Sequence, residues 1–183
     1  MTVRTEDIER SSAQASQELA QFESAFQEHW PRVYGVLFRL VGDHAEAEDL
    51  ALEAFWRLYR RPRQASDNLG GWLYRVAMNL GFNALRARKR RARYEEQAGR
   101  LESVSAANSD PAETTERTDQ RARVRAVLAQ MQPRAAQMLI LRFSGFSYAE
   151  IAAAIGVASS SIGTLLARAE GEFENIYRKL EGE

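Results

Sequence analysis

Apolar residues recur at spacings of three and four along Leu19, Phe22, Phe26, Trp30, Val33, Leu37, Leu40 and Val41. That spacing puts one buried stripe on an amphipathic helix. Pro31 starts or kinks its second part, and Gly42 with Asp43 ends it and caps the next helix. A second helix is expected over 45–61, with Leu50, Ala54, Phe55 and Leu58 on one side and Glu46, Asp49 and Glu53 on another. A turn-rich connector then leads to Gly70 and Gly71, and a third helix is expected from near Trp72. Leu73, Val76, Ala77, Leu80, Ala84 and Leu85 form its buried stripe. Farther along, Val124, Val127, Leu128 and Met131 predict another helix. Pro133 opens the one after it, at a position where a missing N–H costs nothing. Met138, Leu139, Leu141, Phe143 and Phe146 are its expected core contacts, and Gly145 ends it.

From Ser147 to Arg168 the pattern sharpens. Ser147 and Glu150 have the spacing of a capping box, hydroxyl to the third amide and carboxylate back to the first. Ile151 and Ile155 share a face, and Gly156 supplies the positive φ that closes a short helix. Ser159, Ser160 and Ser161 offer a fresh N-cap, after which Ile162, Leu165, Leu166 and Ala169 continue at helical spacing to a last apolar set, Phe173, Ile176, Tyr177 and Leu180. Two short capped helices around a glycine turn make a helix-turn-helix, whose second helix can enter a major groove; a plain helical hairpin has the same pattern.

Composition narrows the class. The chain has 183 residues, 45% of them hydrophobic, no cysteine and four prolines. With little β-branched alternation, this predicts an all-α fold without disulfides or thiolate metal sites. No apolar run approaches the roughly 20 residues of a membrane span, and the polar N-terminus lacks the apolar centre of a secretory signal. The formal net charge of zero hides two opposed blocks. Residues 86–93 carry six bases and no acid, whereas 94–120 carry seven acids against two bases. The expected layout is therefore a disordered extension over 1–16, a helical domain over 17–94, a flexible acidic linker over 95–119 and a helix-turn-helix domain over 120–183.

Two surfaces have chemistry to offer. Trp72, Arg75, Asn79, Asn83 and Arg86 lie on the flank of the third helix. A ring can stack on an unpaired base, an amide can bond a base edge, and guanidinium binds phosphate. The plainer reading is a core tryptophan with scattered polar neighbours, and the basic run downstream favours the first. The carboxylates at 46, 49 and 53 form either a solvated acidic face or a docking surface for a basic helix. An enzyme has little to build on: His29 and His44 are the only histidines, and no Gly-rich phosphate loop is present. His29 reads as a helix surface or packing residue.

Four segments stand in order: HWPRVYGVLFRLVGD (29–43), AEDLALEAFWRLYR (47–60), GWLYRVAMNL (71–80) and LRFSGFSYAEIAAAIGV (141–157). Together they resemble the extracytoplasmic-function group of bacterial sigma factors. The first three resemble region 2 and the last region 4, across an acidic linker and without a third domain. The resemblance implies a cytoplasmic transcription initiation factor that needs no cofactor or metal. It would bind core RNA polymerase through the β′ coiled coil and the β subunit, recognise −10 and −35 promoter elements and assist melting. Glu46, Asp49, Leu50 and Glu53 would dock on the coiled coil. The connector over 62–69, with Asn68, would capture a flipped −10 base. Trp72, Arg75, Asn79, Asn83 and Arg86 would hold the melted strand, and Arg88, Lys89, Arg90 and Arg91 the neighbouring phosphates. Ser147, Ser159, Ser160, Ser161, Thr164 and Arg168 would contact the −35 duplex. The linker would mimic nucleic acid inside the polymerase, and an anti-sigma factor is an implied partner.

The sequence departs from the family in three places. Leu52 stands where Gln is usual, and Asn83 where Asp is common. Leu165 and Leu166 follow Gly163 and Thr164 where a base is usual. Over 159–174 the only base is Arg168, facing Glu170, Glu172 and Glu174, so phosphate neutralisation there is weak. Either −35 reading is light, or Leu165 and Leu166 pack on a partner. The competing reading is a stand-alone helix-turn-helix regulator, which leaves Asp49, Glu53 and Trp72 without a role.

Overall fold

The computed structural model describes residues 3–60, 68–97 and 115–182. Among them are seven α-helices and no strand: α1 (Val3–Val41), α2 (His44–Tyr59), α3 (Leu69–Gln97), α4 (Thr115–Leu128), α5 (Pro133–Phe143), α6 (Tyr148–Ile155) and α7 (Ile162–Glu181). The all-α expectation holds. The stripe of α1 closes on α2 and α3 through Val33, Val36, Leu37, Leu40, Ala51, Phe55, Leu73 and Met78, all buried. Fully burying each large side chain of this kind is worth about 1.5–3 kcal/mol. Val127, Leu141, Ile151, Ile162 and Leu166 do the same for α4–α7.

Local chemistry places most ends. Gly42 takes φ 75°, and the Asp43 carboxylate accepts from the Glu46 amide at 2.8 Å, so one helix closes and the next opens within two residues. Pro133 sits in the first turn of α5 as expected. The Asn68 side chain accepts from the Gly71 amide at 2.7 Å, which starts α3 at Leu69, three residues before Trp72.

Several expectations need correction. Helix α1 begins at Val3, through most of the stretch expected to be disordered. Residues 12–21 are exposed, but this segment is rich in Ala, Gln, Glu and Ser and joins a packed helix, from which elongation is cheap. Pro31, expected to start or kink the second part of the first helix, lies inside α1 and does not start a separate one. Helix α3 runs on to Gln97 and α4 starts at Thr115, so both ends of the 95–119 linker are helical, and 98–114 lie outside the described residues. Phe143, expected in the core, is 74% exposed, although Ile140 and Leu141 in the same last turn of α5 are buried.

The helix-turn-helix forms as read, with one change. Ser147 and Glu150 make the complete capping box, and Gly156 closes α6 at φ 76°. The serines at 159–161 form a 3₁₀ turn, and neither that turn nor α7 has a side-chain cap, so the fresh N-cap is absent. Helix α7 is continuous to Glu181. Replacing Gly156 by Ala forces a Cβ into left-handed backbone and is expected to cost about 1–2 kcal/mol, read as a lower unfolding midpoint.

Candidate nucleic-acid and partner interface

The basic run extends α3 beyond its packed part. Lys89, Arg90, Arg91 and Arg93 are exposed there, and successive helical turns bring Arg86, Lys89, Arg90 and Arg93 to neighbouring positions on one side. Arg88 is different. Its guanidinium donates to the Val41 carbonyl at 3.1 Å and to the Glu46 carboxylate, tying α3 to the end of α1 and the start of α2. Two residues expected to serve different partners, Arg88 for phosphate and Glu46 for the polymerase, bind each other. The pair meets at the junction where α1 turns into α2, and neither half of it announces this in sequence.

On α2 the exposed face differs from the expected one. Asp49 is exposed, and Glu53 is half-buried beside Arg57, whose Nε donates to it at 2.7 Å. Leu50 turns inward and packs against the core. Leu52 and Trp56, unassigned from sequence, are 48% and 54% exposed, and Tyr59 stacks beside Trp56 with ring centroids 5.8 Å apart. An acidic pair flanked by two apolar side chains suits a helix that brings both basic and apolar groups. The helical period contained this: positions 49, 52, 53 and 56 lie together on the side opposite Phe55 and Leu58.

The strand-facing candidates separate. Trp72 is half-buried and packs against the core, whereas Arg75, Asn79, Asn83 and Arg86 are exposed. Arg86 donates to the Asn83 side chain at 3.4 Å. Arg75 reaches out of its own bundle: its Nε donates to the Ala154 carbonyl at 2.8 Å and its Nη2 to that of Ala153 at 2.7 Å. Asn79 accepts from the Gln137 amide at 3.3 Å. Asn68 is occupied by its capping bond, and residues 62–67 of the 62–69 connector expected to hold a flipped base lie outside the described residues.

A second ion pair crosses the same ground. Arg32 of α1 donates to Glu150 at 2.7 Å and lies 4.0 Å from the centre of the Phe146 ring. Phe146 in turn meets Tyr74 edge-on at 4.5 Å. The Arg32 hydrogen bond, helped by the Ser147 amide and hydroxyl, holds the Glu150 carboxyl down at about 2 against the opposing cost of its burial. Burial pushes the Tyr74 phenol above its ordinary value, and its hydroxyl meets His29 Nδ1 at 3.1 Å. His29 is thus a packing residue, as read. A carboxyl depressed in the folded chain stabilises it fully above its unfolded value near 4.5, and loses that contribution as pH falls toward about 2. With the Glu150 side chain 38% exposed, solvent screening reduces this to about 1 kcal/mol or less. Thermal unfolding of the wild type and of Glu150→Gln should therefore differ at neutral pH and converge across that window.

In the helix-turn-helix, Ser159, Ser160, Ser161, Thr164 and Arg168 are exposed in and after the turn that opens α7. Ser147 is exposed but committed to its capping box. Leu166 is buried and Leu165 is partly buried against the core, so both leucines pack within their own unit. Glu172 accepts from the Gln132 amide at 2.6 Å, and Glu174 pairs with Arg178. Two of the three acids that seemed to face Arg168 therefore serve the fold. No group of three or more His, Cys, Asp or Glu residues among the described residues is arranged to hold a metal ion, and no single helix there is long and apolar enough to cross a membrane.

Comparison with known proteins adds the following. The family model for Sigma-70 region 2 matches residues 25–91, and that for Sigma-70, region 4 matches 121–171. The chain is 32% identical over 167 residues to the RNA polymerase sigma factor CarQ of Myxococcus xanthus, across 88% of this chain and 90% of that one. It is 31% identical to the RNA polymerase sigma-H factor of Pseudomonas aeruginosa, across 82% and 81%. Against the ECF RNA polymerase sigma factor SigE of Mycolicibacterium smegmatis it is 28% identical over 86% of its own length, but spans only 62% of that relative. It spans 52% of the probable ECF RNA polymerase sigma factor SigI of Mycobacterium tuberculosis. Among solved structures, the sigma factor RpoE in complex with the anti-sigma factor NepR from Bartonella quintana shares the fold, with a TM-score of 0.57 at 21% identity over 86% of this chain and 97% of that one.

Proposed function

The chain belongs to the sigma-70 family, in its extracytoplasmic-function group, and from that premise we propose that it binds core RNA polymerase, recognises −10 and −35 promoter elements and assists promoter melting. The observation that carries this reading is a pairing within one chain. Helix α2 offers Asp49, Leu52, Glu53 and Trp56 to a partner, while the start of α7 offers Ser160, Thr164 and Arg168 to duplex DNA. A stand-alone duplex-binding regulator would use the second surface and leave the first idle. The roles follow from chemistry. The α2 carboxylates and apolar side chains take the basic β′ coiled coil, with further contact to the β subunit. Trp72 stacks on an unpaired base, and Arg75, Asn79, Asn83 and Arg86 bond the opened strand. Lys89, Arg90, Arg91 and Arg93 track its phosphates. Hydroxyls at the start of α7 contact the −35 duplex. The domain limits of 17–94 and 120–183 divide these tasks.

An anti-sigma factor is the second expected partner, since the structural relative above was solved with one. Polymerase and promoter together place the working chain in the cytoplasm. Gel filtration of the purified chain with core polymerase at low salt tests the reading: co-elution is expected, and a folded chain that elutes alone refutes it.

A further inference from the structure

We infer that the polymerase-docking face of α2 continues onto the exposed first half of α1, where Leu19, with Glu18 and Glu23 beside it, contacts the same basic partner. This rests on the reading of α2 given above. It extends that reading to residues before 25, where the match to region 2 begins.

The continuity is carried by apolar side chains. Leu52 and Trp56 stand one helical turn apart on the outer side of α2, and Tyr59 stacks beside Trp56. Tyr59 in turn meets Phe22 of α1 edge-on, with ring centroids 5.3 Å apart. Leu19 lies one turn before Phe22 on the same side of α1. An unbroken apolar run therefore passes from one helix to the other, and Leu19, Leu52, Trp56 and Tyr59 are each about half exposed. Scattered apolar residues are ordinary on a surface, but a contiguous run rimmed by polar groups marks a contact site. Tryptophan and tyrosine are also the side chains that most often anchor one.

Charge identifies the occupant. Residues 12–28 carry three acids, Glu18, Glu23 and Glu28, and no base. Glu18 and Glu23 neighbour Leu19 on α1 as Asp49 and Glu53 neighbour Leu52 on α2. The bases at this end of α2 are engaged within the surface: Arg57 pairs with Glu53, and the Arg60 guanidinium lies 5.9 Å from the centre of the Trp56 ring. Both helices thus set carboxylates around apolar side chains, and both suit one basic helical element of the polymerase that brings apolar groups of its own. A second copy of this chain, or a nucleic acid, would bring like charge to α1.

The test uses the full chain and core polymerase, with affinities from competition for labelled core. Leu19→Asp removes the apolar contact and adds a negative charge. It should bind about tenfold more weakly, whereas attraction of charge alone would tighten binding. Glu18→Lys combined with Glu23→Lys should lose a similar factor. Leu19→Met keeps an apolar group at the site and should bind as wild type does. Gln17→Lys combined with Gln21→Lys places two lysines on the opposite side of the helix and should lose less than about twofold. All these positions are exposed, so circular dichroism should record wild-type helix content in every variant. A benzoylphenylalanine crosslinker in place of exposed Ala15, one turn before Leu19, should join the chain to the β′ subunit. The inference is overturned if Leu19→Asp binds core like wild type, if the two lysine pairs lose equally, or if the crosslink joins two copies of this chain. A wild type that fails to bind core overturns the proposed function as well; full binding that ignores α1 overturns this inference alone.

Discussion

Replacing Asp49 and Glu53 together by lysine is expected to lower affinity for core polymerase by about 100-fold or more, close to 2.7 kcal/mol. Each reversal removes an attraction to a basic helix and adds a repulsion, and close charge pairs across an interface are worth about 1.5–7 kcal/mol in coupling. Two such sites one helical turn apart exceed the threshold even if screening halves each. The fold should survive. Asp49 is exposed, and Glu53 gives up only its bond to Arg57, an i,i+4 pair worth about 0.3–0.5 kcal/mol. Helical content and unfolding midpoint should therefore stay near wild type while a competition assay with labelled core records the loss. Unchanged affinity would mean that α2 presents this face to something else.

Trp72→Ala is expected to slow or weaken promoter opening by about 10- to 100-fold with duplex binding nearly intact, since base–aromatic stacking is worth about 1–3 kcal/mol per base. Opening is read by permanganate reactivity of unpaired thymines, and duplex binding by gel shift at a temperature where the promoter stays closed. Trp72 also packs partly against the core, so stability must be followed alongside. Trp72→Phe keeps a ring at the site and should recover most of the opening. Equal losses in opening and duplex binding, with the midpoint lowered, would make the tryptophan a packing residue only.

What could be read from the sequence follows a physical line. The Ser147 box, the Gly156 turn, the Asp43 cap and Pro133 rest on interactions within a few residues, and each formed. The buried stripes of α1 and α3 followed from periodicity, except at Leu19, which opens the expected α1 stripe and is 50% exposed because no other helix covers that end of α1 among the described residues. The cap expected at Ser159–Ser161 is a local reading that failed, but the errors at the candidate site lie where partners are distant in the chain. Glu46 and Arg88 are 42 residues apart and Arg32 and Glu150 are 118 apart, and a charge shows nothing locally of which opposite charge it will meet. Arg75 looked like a free cation because backbone carbonyls, its actual partners, leave no mark in a sequence. Leu165 and Leu166 looked anomalous only against a family habit; by period they belong to the core they enter.

The central claim is a division of tasks: α2 holds the polymerase, α3 the opened strand, and the start of α7 the duplex. Run-off transcription from genomic fragments, with core polymerase reconstituted with and without this chain, tests it most directly. The account predicts discrete transcripts that require the chain and vanish with the Asp49 and Glu53 reversals. A folded chain that leaves the core enzyme's transcripts unchanged would contradict it.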